Sequence, residues 1–476
     1  MGNPRDIAEA RSAAQQAVAA LVARARAAQR VAARYTQTQL DELVTAAGWA
    51  IMEPARNQTL ADIAVRDTGL GNVPDKINKN HRKTLGLLRD LKGAISTGVL
   101  AEYPDTGITE IARPVGVVCA VVPSTNPGAT PANNIINALK CGNAVILSAS
   151  PKGVSTSAKL LEYIHTEFKK IGAPPDLVQM LPSPITKESS SELMKQCDLV
   201  VVTGSQANVR AGYSSGTPAL GVGAGNVAVI VDDSADCADA AAKIMRSKIF
   251  DNATSCSSEN SVIIHAAVYE RMLAELVKQG GVLLSAAEKD TLQQAMFPDG
   301  HLSSRVTAQS VSKICAVAGL TRTQLVNAKC LMVEETGAGA AHPFSGEKLC
   351  PVLTLYQARD FDHAFTTVRA IYDYMGDGHS CGIHTQNDAH IRRLGHEMTV
   401  CRVIVNQAHA IANGGSFDNG LPFSLTMGCG TWGGNSFSEN LNYKHFMNVT
   451  RIVREIPPRE PSVDDIFGAY SRKYTV

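Results

Sequence analysis

"VGVVCAVV" at 115–122 decides the fold. It has no charged or polar side chain and does not alternate, as a strand with one wet face would. It is also far short of the ~20 residues that a membrane helix needs. Runs of the same kind recur at "NAVILS" (143–148), "DLVVVTG" (198–204) and "NVAVIV" (226–231), each separated from the next by stretches of helical spacing. Continuous apolar strands between helices predict a parallel sheet covered on both faces. A second series, "NSVIIH" (260–265), "KCLMVEE" (329–335), "PVLTLYQA" (351–358), "SCGIHT" (380–385) and "CRVIVN" (401–406), predicts a second α/β domain.

Upstream, the first hundred residues place apolar side chains three and four apart, as in "LDELVTAAGWAIM" (40–52), and read as amphipathic helices. "TGITEIARPVG" (106–116) alternates and predicts an exposed antiparallel strand. Downstream, a Gly-rich "GCGTWGGN" (428–435) leads into a polar, Pro-containing tail with the character of a docking arm.

The charge balance, 45 Lys and Arg against 44 Asp and Glu, gives a net charge of +1 and argues against a nucleic-acid partner. Eleven scattered cysteines include no C-x-x-C pair, so neither a zinc site nor a redox dithiol is expected, and no metal is assigned. Reduced thiols, with no apolar signal core at the N-terminus and no membrane-length run, point to a cytoplasmic protein.

Four features could carry chemistry. "GVGAGN" (221–226) looks like a dinucleotide loop, but it lacks the G-x-G-x-x-G spacing and precedes a strand where such a loop should follow one. Its glycines still imply close backbone approach. Thr203-Gly204-Ser205 ends a strand and opens a helix, whose free N–H groups suit a phosphate or carboxamide as well as an ordinary serine cap. Cys256, in "FDNATSCSSEN" (250–260), has Thr254, Ser255, Ser257 and Ser258 around it, a polar setting in which a thiolate could be solvated. The alternative is one more buried small residue. His379 lies in a Gly-rich turn and could move protons near neutrality or be purely structural.

Taken in order, "NKNHRKT" (78–84), "ARPVGVVCAVVPSTNP" (112–127), "VVTGS" (201–205), "YSSGTPALGVGAGNVAVIVDDSAD" (213–236), "FDNATSCSSENSVI" (250–263), "EKLCPVLTLY" (347–356) and "SLTMGCGTWGGNSFSEN" (424–440) resemble the CoA-acylating branch of the aldehyde dehydrogenase superfamily. The resemblance implies an aldehyde dehydrogenase-like α/β fold. Residues 1–98 and 114–231 would bind coenzyme, 232–425 would be catalytic, and 99–113 with 440–476 would form an oligomerisation arm. It further implies a homodimer or homotetramer acting on a small aldehyde and coenzyme A, with no nucleic-acid or membrane partner.

The resemblance makes Cys256 the nucleophile and Glu347 the carboxylate on the nicotinamide ribose. Thr125 and Asn126 become rival oxyanion donors, and His379 a handler of the CoA thiol proton. Gly221 falls where hydrolytic relatives carry a water-activating glutamate, and a glycine cannot be a general base. The adenosine-ribose turn "ILSASPKG" (146–153) offers Ser148, Ser150 and Lys152 with no acid, so NADP is expected to fit as well as NAD. Thr254 and Ser255 replace the aliphatic neighbours found in acetaldehyde enzymes. A short polar or anionic aldehyde is therefore expected, such as sulfoacetaldehyde or succinate semialdehyde.

Overall fold

The computed structural model describes residues 4–474. Four helices open the chain: α1 (Pro4–Ala32), α2 (Gln37–Met52), α3 (Pro54–Thr68) and α4 (Val73–Leu91). Their starts are set by local chemistry. Thr36 and Gln39 form a reciprocal capping box on α2, Glu53 caps α3, and Asn72 Oδ1 accepts the Asp75 N–H at the head of α4.

Three sheets follow. β1 (Gly98–Tyr103) and β2 (Ile108–Pro114) pair antiparallel. β3 (Val117–Val122), β4 (Ala144–Ala149), β5 (Val178–Met180), β6 (Leu199–Val202) and β7 (Ala219–Gly221) form a parallel sheet in the order β5-β4-β3-β6-β7. β8 (Val227–Val231), β9 (Glu259–His265), β10 (Gly281–Leu283), β11 (Cys330–Glu334), β12 (Val352–Ala358), β13 (Cys381–His384) and β14 (Val403–Val405) form a second, in the order β10-β11-β12-β9-β8-β13-β14. β15 (Met447–Val453) returns to pair with β2 and completes the three-stranded arm.

β3, β4 and β6 are buried at every position, which is why they read as unbroken apolar runs. In the first sheet the chain steps outward from β3 to β5, then crosses back to β6. The crevice at that reversal opens between the carboxyl ends of β3 and β6, the usual place for a ligand in such sheets. "PSTNP" (123–127) leaves one end and Thr203-Gly204-Ser205 the other.

Two boundaries differ from expectation. β8 was grouped with the coenzyme strands, yet it bonds to β9 and β13, so the sheets divide in the 222–226 loop and not at 231. An apolar run marks a strand as buried without saying in which core. The stretch from 423 to 446, which spans the expected edges at 425 and 440, also returns to the first core, which holds Phe423, Phe437, Leu441 and Phe446. The arm strand itself begins at Met447. Beyond it a helix, Val463–Tyr474, leaves Val463, Ile466, Phe467 and Tyr470 exposed. No helix among the described residues is long and apolar enough to cross a membrane.

Candidate active site

Cys256 sits in the turn between the helix Cys237–Ile249 and β9, in the cleft between the two large sheets. The turn is built on three successive left-handed residues, Asp251 (φ 52), Asn252 (φ 51) and Ala253 (φ 57). Such a run is costly for non-glycine residues and persists only where neighbours hold it. The holding groups come from α4 and the loop before it. Asp75 accepts the Asp251 N–H at 2.7 Å, the Asn72 N–H donates to Asp251 Oδ1 at 3.0 Å, and Lys76 Nζ donates to Asp251 Oδ2 at 2.8 Å. Lys79 Nζ uses all three of its protons, on Asp251 Oδ2, on Thr254 Oγ1 at 2.8 Å and on Asn126 Oδ1 at 2.8 Å. Burial alone would push the Asp251 carboxyl up, but Lys79 and Lys76 hold it below its ordinary value.

The glycines of "GVGAGN" do approach something closely. A Cβ on Gly225 would lie 2.3 Å from the Cys256 carbonyl oxygen and 2.6 Å from its Cβ, so only glycine lets this loop back the nucleophile. Asn226 fixes the loop by donating to the carbonyls of Ser345 at 2.8 Å and Met375 at 3.0 Å. At Gly221 a Cβ would meet Val209 Cγ1 at 2.7 Å and the Tyr213 ring at 3.0 Å, and the Gly221 N–H donates to Tyr213 Oη at 3.0 Å. Gly221 is thus enclosed, with neither room for an acid nor an N–H free for coenzyme.

The polar setting read around Cys256 needs correction. Thr254 is buried and committed to Lys79 and Asp251, while Ser257 Oγ accepts from Asn413 Nδ2 at 2.9 Å. Thr254 therefore acts through Lys79 and does not line the pocket, whereas Ser255 and Ser257 do. Burial pushes the Cys256 thiol up to about 12, with Glu347 and Cys429 adding to the rise and Ser257 and Arg402 opposing it. The surrounding hydroxyls do not make a resting thiolate.

Thr125 and Asn126 are placed differently. An ammonium group is a donor only, so the Lys79 contact fixes Asn126 with its oxygen inward and its Nδ2 turned away. That nitrogen has only a long 3.5 Å contact, to Thr125 Oγ1. Asn126 lines the pocket beside Cys256 with Ser255 and Ser257, while Thr125 does not. The Cys256 backbone N–H has no backbone or side-chain acceptor among the described residues.

Glu347 lies just before β12, where burial pushes its carboxyl up to about 8 against the pull of Lys248 and Lys348. His379 is buried at the head of β13, with Nδ1 2.8 Å from Ser380 Oγ and Nε2 without a partner. Burial, then Arg402 and His409, draws it well below its ordinary value and leaves it a neutral imidazole. Arg402 is a residue the sequence did not flag. It donates to the carbonyls of His379 at 2.9 Å and Gly428 at 2.7 Å and to that of Ser438 at 3.1 Å, so it ties the His379 turn to the Gly-rich segment. α4's Lys76, Lys79, Arg82 and Lys83 were likewise missed. Their spacing, with Lys76, Lys79 and Lys83 at i, i+3 and i+7 on one helix face, was the available signal.

At the sheet crevice, Ser150 Oγ is buried without a partner, the kind of orphan that a bound nucleotide satisfies. Lys152 is exposed beside it, but Ser148 is taken up by Ser190 Oγ at 2.8 Å and is not free. Thr203 bonds Thr426 Oγ1 at 2.7 Å, Ser205 caps its helix on the Asn208 N–H, and Gly204 stands open. The residues present fit a dinucleotide laid across the strand ends.

The family model described as the aldehyde dehydrogenase family matches residues 3–317. The chain is 61% identical to a sulfoacetaldehyde dehydrogenase (acylating) of Cupriavidus necator, over 96% of this chain and 93% of that protein. It is 42% identical to a protein of the same description from Bilophila wadsworthia, over 94% and 97%. Among solved structures, an acetylating aldehyde dehydrogenase from Geobacillus thermoglucosidasius superposes with a TM-score of 0.91 at 32% identity, covering 95% of this chain and 99% of that one.

Proposed function

The chain belongs to the aldehyde dehydrogenase family, and on that premise we propose that it is a CoA-acylating enzyme interconverting a short anionic aldehyde, sulfoacetaldehyde first, with its acyl-CoA. The observation that carries the acylating class is the enclosed position at Gly221. No carboxylate can stand there to activate water, so a thioester on Cys256 survives until a thiol arrives. The 61% identity to the Cupriavidus protein supports the substrate.

In the oxidative direction Cys256 gives its thiol proton to solvent water and its sulfur bonds to the aldehyde carbon. The carbonyl oxygen becomes an alkoxide, and Asn126 Nδ2 with the Cys256 N–H are the donors in place to hold it. NAD or NADP, when bound, would supply the hydride acceptor. Ser150, Lys152 and the Thr203-Gly204-Ser205 turn would hold it, with Glu347 receiving the ribose hydroxyls. Collapse of the alkoxide leaves a thioester on Cys256. The sulfur of CoA then adds to that carbon, its proton passes to His379, and Cys256 leaves as the acyl-CoA forms. His379 is suited to accept because burial keeps it neutral, and its low basicity lets it pass the proton on.

NADP is admitted because the ribose turn carries no acid, and Asp67, bonded to Ser155 just beyond it, is balanced by Arg66 at 2.6 Å. The exposed arm, with Val99, Tyr103, Ile452 and Val453 open to solvent, supports a homodimer or homotetramer, and eleven free cysteines support a reducing cytoplasm.

The test is NAD(P)H oxidation with sulfoacetyl-, succinyl-, acetyl- and propionyl-CoA. Sulfoacetyl-CoA should turn over fastest. Equal or faster turnover of propionyl-CoA would end the anionic-substrate reading. Aldehyde oxidation at full rate without CoA would end the acylating one.

A further inference from the structure

The pocket beside Cys256 holds more positive charge than its own carboxylates balance. It is lined by Lys79, Arg82 and Lys83 of α4, with Asn126, Ser255 and Ser257 opposite. Lys76 and Lys79 share the single Asp251 carboxylate. Arg82 and Lys83 have no carboxylate within ion-pair distance among the described residues. Of the acids in their vicinity, Asp90 accepts from Arg89 at 2.8 Å and from the Phe423 N–H at 2.6 Å, and Asp418, which accepts from Ser416, shares its charge between Arg82 and Arg246. Arg246 adds further positive potential at Arg82.

What these two cations do touch is neutral. Arg82 Nη2 donates to the carbonyls of Ile411 at 2.6 Å and Gly415 at 3.2 Å, leaving Nε and Nη1 without acceptors. Lys83 Nζ donates to the carbonyls of Gly414 at 2.5 Å and Ser424 at 3.2 Å, and burial, then Arg82 and Lys79, draws it well below its ordinary value, so that a neighbouring anion is what would hold it as an ammonium. The Phe423 ring lies 5.7 Å from the guanidinium carbon and 5.5 Å from the ammonium nitrogen. Carbonyl dipoles and a ring face soften a buried charge without cancelling it, and the missing element is an anion.

Resting on the acylating reading above, we propose that Arg82 and Lys83 form the receptor for the anionic tail of the acyl group and thereby set substrate choice. With Nη2 on the Ile411 and Gly415 carbonyls, Arg82 has Nε–H and Nη1–H left, each for a separate oxygen, the Lys83 side chain and Ser255 Oγ supply further donors, and Cys256, next in the chain to Ser255, reaches the carbonyl carbon. A neutral alkyl tail in this pocket would leave buried Lys83 and half-buried Arg82 without an anion, which is how the pocket rejects it. Sulfonate and carboxylate share this chemistry, so the substrates compared separate them.

The experiment measures kcat/KM for sulfoacetyl-CoA, malonyl-CoA and propionyl-CoA, three thioesters with tails of similar size, in the wild type and in Arg82→Gln and Lys83→Met. In each variant the sulfoacetyl-to-propionyl ratio should fall about ten- to a hundredfold, the range of a lost charge-assisted contact, while Arg82→Lys and Lys83→Arg should keep most of it. A wild-type preference that survives both neutral variants overturns this inference and leaves the proposed function standing. A wild type with no preference overturns the anionic-substrate reading itself. A measurement independent of turnover uses alkylation of Cys256, read by mass spectrometry. In the wild type, iodoacetate should outpace iodoacetamide and be slowed by ethanesulfonate, even if a variant does not fold. Equal rates without protection would overturn the receptor.

Discussion

The two flanks of Cys256 are built by different means. On the coenzyme flank, the ends of β4 and β6 present neutral groups, among them Ser150, Thr203, Gly204 and Ser205, with Lys152 at the rim. On the acyl flank, a single helix, α4, turns Lys76, Lys79, Arg82 and Lys83 toward the nucleophile turn. The first flank takes its shape from a sheet that the fold needs in any case. The second depends on side chains that the fold would be simpler without. Substrate identity in such a molecule can therefore change through a few positions of one helix while the coenzyme platform stays as it is.

The largest effect should come from removing the point where the flanks meet. Cys256→Ala is expected to lower acyl-CoA reduction by roughly 10⁴-fold or more and to abolish the acyl mass adduct on the protein. Next is Asp251→Asn, which strips Lys76 and Lys79 of their shared counter-charge. A loss of about 3 kcal/mol in urea unfolding is expected, because it leaves buried cations unpaired. Lys152→Glu works on the other flank alone. It should lower the NADP-to-NAD ratio of kcat/KM about tenfold, the scale of one exposed charge near a phosphate, and leave the acyl-CoA preference where it was. A shift in both ratios would show that the flanks are not independent.

The smallest effect concerns pH. Burial pushes the Glu259 carboxyl up to about 7, although Ser247 and the His409 N–H donate to it. Its folded value exceeds its unfolded one, so its contribution is complete below about 4.5 and is lost as the pH rises through 7. Glu259→Gln, neutral at every pH, should therefore gain in melting temperature relative to the wild type as the pH rises from 5 to 8. A constant difference would show that Glu259 is not held protonated.

Much of the platform was legible in the sequence, because β3, β4 and β6 lie between helices on both faces and so carry no charged residue, and in β4 only Ser148, to break the run. β5, β7 and β10 were missed, since each has three residues and, unlike the equally short β14 in "CRVIVN", none holds three β-branched residues in a row. β8 was recognised as a strand but placed in the wrong sheet, because hydrophobicity reports burial and not the identity of a partner. Cys256 and Gly221 stood out through ordered motifs. The lysines of α4 did not, since cations on a helix read as a solvated face until the structure shows Lys76 and Lys79 turned inward against Asp251. The hydroxyls around Cys256 misled for the converse reason. Their residue types were right for solvating a thiolate, but their hydrogen bonds go elsewhere.

The left-handed turn of Asp251–Ala253 also bears on how the molecule is made. Its clamps lie some 175 residues earlier in the chain and in the other domain, so nothing local to the turn can maintain it. During synthesis α4 is complete long before the cysteine emerges. The thiol takes up its working position only once the second domain has docked on the first. A half-assembled chain therefore carries Cys256 in an unformed turn, and the cysteine is set in place only when the two parts meet.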